Sequence, residues 1–543
     1  MIFQTFAELC QRIEKIRGRL DTIEILSEVI RDLDPEDLPI FVRLVLGRPF
    51  PEWSPLKLGI GPNLLYEAVA YVTGRNREEV IGTLNSVGDL GRAVAQMLAS
   101  KSQTSFFTDE LTLAEVYTSF EAIARAEGTR SQKERVRIIQ RLFSSATPLE
   151  GHYITGILLD DMRIGVGEGN VRDAVAKAFS VDSKQVEYAQ QVLNDMGAVA
   201  VLAREGEAAL SSVRMQIFHP VRMMLARQGT ISQVLSDSGT IAIEYKYDGA
   251  RFQFHKQGNV ARMYSRRLED VTDSLPDVVS MLLGATNHDL ILDGEVIAIL
   301  DGKPLPFQHV LKRFRRKHGV ADAVDQVRLV PNVFDILYLD GEMLLLRPFS
   351  ERREILCRVL NQYATPQLVS DDADAIETYY HSALDAGHEG VMLKLLNSGY
   401  TPGVRGKDWV KIKPEVDTLD LVVVGAEWGE GKRAHVYGSF LVAARQDDRL
   451  IPVSRVATGL SDEQLLWLYD TLKDQVIRTD EKMVYFDPIL VFEIGYSEIQ
   501  QSPNYEGGFA LRFPRFVQVR EDKDIRDANT LGDIQELYRG SIE

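Results

Sequence analysis

Apolar residues recur near every 3.6 positions over the first ~215 residues and near every second position from about Ile241. The chain therefore reads as a helical region followed by a strand-rich one. In "DPEDLPIFVRLVLG" Asp34 is placed to cap a helix with Pro35 at its first position. In "TPLEGHYITGILL" Thr147 caps, Pro148 follows, and Glu150 completes a capping box. Strands are predicted over 241–247, 252–255, 260–265, 289–299, 327–339, 390–396 and 409–413, with helices over 306–317 and 350–361. That order implies an α+β core on largely antiparallel strands. Beyond Pro414, "LDLVVVGAEWG", "GSFLVAARQ" and "LIPVSRVATG" read as short strands of a small barrel. "FHPVRMMLA" (Phe218 to Ala226) marks the hand-over from the helical part.

The stretch "IAIEYKYDGARFQFHKQG" raises a chemical question. Ile241, Ile243, Tyr245 and Tyr247 alternate with Ala242, Glu244, Lys246 and Asp248, the pattern of a strand with one buried face. Asp248-Gly249 predicts a hairpin turn, after which Phe252 and Phe254 resume the alternation. Lys246 is thus set between two carboxylates just before a turn, with Arg251 just past it.

Composition narrows the setting. At 543 residues, three or four domains of ~150 residues are expected. No apolar run reaches the ~18 residues of a membrane span. "MIFQTFAELCQRIEKIRGRL" is an amphipathic helix pattern with acids in it, unlike a signal or transit peptide. A soluble, cytoplasmic protein with no membrane partner is expected. Cys10 and Cys357 cannot make a disulfide framework or a four-thiolate zinc site, and read as buried thiols. The histidines show no HxH or HExxH spacing. The net charge of −17 counts against a nucleic-acid partner on average. Locally, "HVLKRFRRKHG" (His309 to Gly319) has five cations and no acid, a candidate basic stripe.

A lysine amine is a weak nucleophile at its ordinary pKa of ~10.4, and desolvation and neighbouring cations free its lone pair. Arg251, Arg266, Arg267, Lys411 and Lys413 supply cations near Lys246 by pattern, and Asp293, Glu295 and Glu389 supply carboxylates. Several cations with a few acids suit a polyphosphate with its magnesium. "GEGKR" at 429–433 is not a full P-loop and "GVGEGN" at 165–170 is not GxGxxG, so a nucleotide site must be built from side chains on strands.

KxDGxR at Lys246–Arg251 is followed in order by "SRR", "LDGEVI", "FDILYLDG", "EGVMLK", "WVKIKP" and "LRFPRFVQVREDK". This ordered set resembles the ATP-dependent DNA ligases of the archaeal and replicative eukaryotic type, over nearly the whole chain. The likeness implies a multidomain protein. An all-α DNA-binding domain would span 1–215, an α+β nucleotidyltransferase (adenylation) domain with antiparallel sheets 216–413, and an OB-fold β-barrel 414–543. It implies a monomer that uses ATP with Mg2+, or Mn2+ in its place, to seal nicked double-stranded DNA in replication, repair and recombination, and so in cell division.

By the same resemblance, Lys246 would attack the ATP α-phosphate and become lysyl-AMP. Glu244 would recognise the adenine amine, and Phe334 would stack on adenine. Arg251 and Arg266 would contact ribose, phosphates or DNA ends. Glu295 would bind the ribose hydroxyl or the metal, and Glu389 the metal. Arg405 and Lys411, with Lys413 beside them, would hold the α-phosphate or pyrophosphate. Arg512, Arg515, Arg520, Asp522 and Lys523 match the last motif, which would act as a mobile cap and on DNA. In the front domain, "MRIGVGEGNVRDAVAKAF" reads as small residues before a helix capped by Asn170, whose free amides suit phosphate. With the likeness, this segment (Arg163 and Asn170) and "GDLGRAVAQM" become grips on the duplex backbone. "SQTSFFTDE", with Gln103, Phe106 and Phe107, resembles a shortened sliding-clamp-binding motif.

Three alternatives remain at this point: an mRNA guanylyltransferase or RNA ligase, an NAD-dependent ligase, and a catalytically silent DNA- or clamp-binding scaffold. The long helical front and the "LRFPRF" ending weigh against the first. The lack of four cysteines for a zinc module weighs against the second, and the complete chemical set against the third.

Overall fold

A computed structural model describes the chain except residues 101–109, 129, 301, 306, 315–327, 415–416, 430–432, 434–435, 448, 481–482 and 541–543, and except the side chains of 85, 308, 311, 312 and 314. The described chain forms two compact units, Met1–Lys413 and Pro414–Glu543.

Helices fill the first unit from Phe3 to Ser211. Phe3, Phe6, Cys10 and Ile13 bury one stripe of the first helix, as a 3.6 period requires. Thr147 and Glu150 form the expected capping box of the helix Pro148–Leu158. The start expected at Asp34 lies further on. The helix is Asp37–Val45, and the Asp34 carbonyl accepts from the amides of Asp37 (3.2 Å) and Leu38 (3.1 Å). Pro39 has no N–H, so the helix accommodates it only within its first turn, which fixes the start after Pro35.

The strands of this unit make two sheets. We label them β1 (Leu225–Gln228), β2 (Ile241–Tyr245), β3 (Ala250–Gln257), β4 (Val260–Ser265), β5 (Leu290–Leu300), β6 (Lys303–Pro304), β7 (Arg328–Leu339), β8 (Glu342–Met343), β9 (Gln367–Ser370), β10 (Val391–Leu395) and β11 (Arg405–Ile412). One sheet has the order β1-β11-β10-β2-β9, antiparallel except for the parallel pair β1/β11. The other is antiparallel, β4-β3-β5-β7-β8, with β6 on β5.

The hairpin expected at Asp248-Gly249 is therefore absent. β2 belongs to the first sheet and β3 to the second, so the KYDG segment carries the chain from one sheet to the other. Gly249 is needed for close approach, because an added Cβ would lie 2.2 Å from the Val296 carbonyl oxygen on β5. Gly249→Ala is expected to cost about 1–3 kcal/mol or more as the crossing segment is pushed off β5. Thermal unfolding of the purified variant checks this; a midpoint equal to wild type would show that the crossing has slack.

The apolar core of the helices continues into this region through Ile291, Leu337, Leu345, Tyr400 and Trp409. The hand-over segment is fastened on both sides. Trp53 stacks on His219 at 3.7 Å, and the Arg222 guanidinium binds Glu52 and Glu168. Arg313, from the expected basic stripe, is not on the surface: it is 1% exposed and bound to Asp277 at 2.8 Å.

In the second unit β12 (Thr418–Trp428) pairs along one edge with β13 (Tyr437–Gln446), which pairs with β14 (Arg449–Val456). Its other edge is shared. β16 (Met483–Phe486), itself paired with β15 (Val476–Asp480), takes residues 425–427, and β17 (Val491–Gly495) takes 418–422. One strand serving two neighbours makes the sheet curl, as in an OB-fold. β18 (Glu498–Gln501) and β19 (Phe509–Arg512) form a separate pair, and β20 (Arg515–Val519) joins β17.

Candidate active site

A cavity of about 870 Å³ is lined from both sheets. β2, β10 and β11 contribute a row across the first sheet, in which Glu244 lies opposite Met392 and Met392 opposite Lys411. The second sheet contributes Arg251 opposite Glu295, with Phe334 from β7 and Arg266 just past β4. Arg405, Trp409 and Lys394 also line the cavity.

Lys246 sits at the sheet crossing. Its amide donates to the Gly390 carbonyl and its carbonyl accepts from the Glu389 amide, both at 2.9 Å, so the backbone is pinned on both sides. Its Nζ is salt-bridged to Glu389 Oε2, which Lys413 also binds at 2.8 Å. Glu389, one of the carboxylates expected near it, is thus its partner. The two lysines hold the Glu389 carboxyl below its usual range against the opposing effect of burial. Burial, then Lys413, Lys246 and Arg405, hold the Lys411 ammonium below the usual lysine range. Crowded cations of this kind are what a polyphosphate would relieve.

Glu295 goes the other way. Burial pushes its carboxyl up to about 8, against the pull of Lys246 and Arg251. The folded chain therefore keeps a proton there that the unfolded chain gives up near 4.5. The stabilisation is complete below about 4.5 and is lost as pH rises through about 8. Glu295→Gln is expected to flatten this part of the stability profile and to stabilise the free protein on its alkaline side. Urea midpoints across the window check it; parallel profiles for the two proteins would refute it.

Three models match the chain: "DNA ligase N terminus" over residues 2–176, "ATP dependent DNA ligase domain" over 223–413, and "ATP dependent DNA ligase C terminal region" over 433–523. The DNA ligase of Methanospirillum hungatei is 70% identical over 99% of this chain and 98% of its own. That of Archaeoglobus fulgidus is 44% identical over 100% and 99%. The chain belongs to the ATP-dependent DNA ligases. The ligase is of the archaeal type, with N-terminal, adenylation and C-terminal domains. The solved chain "Pmar-Lig_Pre." shares the fold at TM-score 0.59 and 19% identity, over 95% of this chain and 99% of that one.

The remaining motif residues of the ligase are placed less simply. Glu244 lines the cleft but is 2% exposed, and its carboxylate is bound to Lys394 (2.6 Å) and Gln367 (2.9 Å). β2 is thus buried on both faces, where the alternation predicted one. Asp293 is fully buried under Arg251, at 3.0 and 2.6 Å, and is withdrawn from any metal. Arg520 and Lys523 converge on Asp420 of β12, with Asp522 on Arg520. Arg512 binds Glu498 at 3.0 Å, and Arg515 opens β20.

In the front domain the helix begins at Glu168, with Gly167 as its cap, so Asn170 lies inside the first turn. Glu168, the first residue of that helix, has its carboxylate bound to Arg48 and Arg222. Arg163 is exposed, has φ 49°, and pairs with Asp161 at 2.6 Å. Gln103, Phe106 and Phe107 lie outside the described residues. Cys10 is buried and Cys357 half-buried. Among the described residues no helix is long and apolar enough to cross a membrane.

Two residues escaped the sequence reading. Lys394, the last residue of "EGVMLK", is 1% exposed and lies 4.3–4.7 Å from the Phe334, Phe349 and Trp409 rings. Tyr400 joins Asp293 to the hand-over segment. A buried cation between aromatic residues leaves a signal only in composition, and a single tyrosine leaves none.

Proposed function

We propose that the ligase works through an adenylated Lys246. The carrying observation is the placement of this amine at the sheet crossing, paired with Glu389 and lining the cleft together with Lys411 and Glu295. Nζ passes a proton by way of Glu389 Oε2, which it contacts, to solvent, and attacks the α-phosphorus of ATP. A P–N bond forms, the bond to the bridging oxygen breaks, and pyrophosphate leaves. AMP then passes to the 5′-phosphate at a nick. The 3′-hydroxyl attacks that phosphate and AMP departs, joining the strands. In each step displaced charge is carried by positioned cations, for which Arg405, Lys411 and Lys413 are our assignments. Phe334 offers the adenine a ring face. Glu244, steadied by Lys394, offers the adenine amine a carboxylate oxygen with a lone pair to spare. Arg251 and Arg266 face the ribose, phosphates or DNA ends.

The donor set suits magnesium held jointly with substrate phosphates. Glu389 is ionised, and Glu295 can give up its proton to a cation; among the described residues no group of three or more such side chains forms a protein-only cage. A bound magnesium would neutralise phosphate charge. The test is intact mass after incubation with ATP and magnesium, followed by peptide mapping. One added AMP on Lys246 is expected; AMP absent, or on another residue, refutes the assignment.

A further inference from the structure

Arg251 is anchored by a closed ring of buried groups. Its Nε and Nη2 donate to Asp293 (3.0 and 2.6 Å), and its Nη1 donates to the Met224 carbonyl (2.6 Å). The Tyr400 hydroxyl donates to Asp293 Oδ2 at 2.6 Å and accepts the Met224 amide at 2.9 Å. One hydroxyl therefore fixes both anchors of one guanidinium. Tyr400 is 2% exposed and comes from the loop between β10 and β11, Asp293 from β5, and Met224 from just before β1, so the ring ties the two sheets together. Guanidinium has five N–H groups, and three are used here. Arg251 lines the cleft, while Asp293 and Tyr400 do not. Two N–H groups are thus left over on a residue that lines the cleft. Trp409 fixes the ring's outer side: it meets Tyr400 edge-on at 5.7 Å and lies under Arg251 at 5.6 Å.

We infer that Tyr400 is a positioning residue for the ligase reaction, acting through Asp293 and Met224 to aim Arg251 at substrate. This rests on the reading of the cleft given above. Tyr400→Phe keeps the ring and removes the hydroxyl, so that both anchors loosen at once. Displacements of about 1 Å in such sites cost on the order of 10²-fold in rate.

The test compares Tyr400→Phe, Arg251→Lys and the double variant in two single-turnover reactions: AMP loading of Lys246, and sealing of a nick that already carries a 5′-adenylate. Tyr400→Phe is expected to slow, by roughly ten- to a hundredfold per folded molecule, the same step that Arg251→Lys slows most. The double variant is expected to be little slower than the slower single one. Multiplying losses, losses in different steps, or wild-type rates per folded molecule would overturn the inference. Should Tyr400→Phe not fold, Asp293→Asn replaces it and must slow the step that Arg251→Lys slows; wild-type rates would overturn the inference equally. A wild-type chain that never gains AMP sinks the Lys246 assignment alone, because the pre-adenylated nick still reads the coupling of Tyr400 to Arg251.

Discussion

Lys246→Ala is expected to lower nick sealing from ATP by about 10⁴-fold or more, the scale on which removal of a nucleophile is felt. The loss should be selective. Lys246 is pinned through its backbone to Gly390 and Glu389, and these bonds survive the substitution. Glu389 keeps Lys413 at 2.8 Å, so no carboxylate is stranded and the variant should fold. Lys413 is held by the same carboxylate oxygen as Lys246, but it lies beyond the end of β11, and no backbone bond of the sheet crossing places it where Lys246 stands. It should not substitute. Two measurements separate this from general damage. Intact mass after incubation with ATP should show no adenylate. Sealing of a nick already carrying a 5′-adenylate should persist, since that step needs no amine nucleophile. Covalent AMP on the alanine variant, or equal loss on the pre-adenylated nick, would refute the assignment. Lys246→Arg should fail as completely, because a guanidinium keeps the charge but has no lone pair to offer at neutral pH.

Lys246 stood out in the sequence through the ordered motifs that resemble the ligases, because a lone KxDG at the end of an apolar strand reads as readily as a surface lysine. The two-sheet architecture was less visible. Asp-Gly after a strand has the turn chemistry of a hairpin, yet the constraint on Gly249 is the nearness of Val296, a contact 47 residues away in sequence. Glu244 shows the same limit. Alternation places it on the polar face, but Lys394 crosses from β10 and buries that face as an ion pair. At Asp34 the local rule was sound, and a second proline at 39 displaced the start of the helix. Arg313, one cation of the run at 309–319, could not be told from a solvated one because charge density carries no information about an acid elsewhere, and it has found Asp277. Periodicity reports which residues share a face. Which sheet receives that face is set by partners far along the chain.

The second large effect concerns stability and comes from the residue after Phe334. Asp335 and Arg352 are both fully buried, and join through two bonds of 2.8 and 2.9 Å. Arg352 also donates to the carbonyls of Arg347 (2.6 Å) and Ser398 (2.9 Å), so one guanidinium ties β7 to two loops. Asp335→Ala leaves that cation without a counter-charge in a dry site and should cost about 3–5 kcal/mol. Arg352→Met strands the anion and should cost a similar amount. Replacing both, with Asp335→Leu beside Arg352→Met, removes the two desolvated charges together. The residual loss should then be about 1–3 kcal/mol for each of the two carbonyls left without a donor. The double variant should therefore fall well short of the sum of the single losses in urea unfolding, and purely additive losses would mean the charges are not coupled. Phe334 precedes Asp335 on the same strand and lines the cleft, so loosening β7 should also weaken ATP binding before the fold is lost. That ordering can be tested by titrating ATP into Asp335→Ala below its unfolding midpoint.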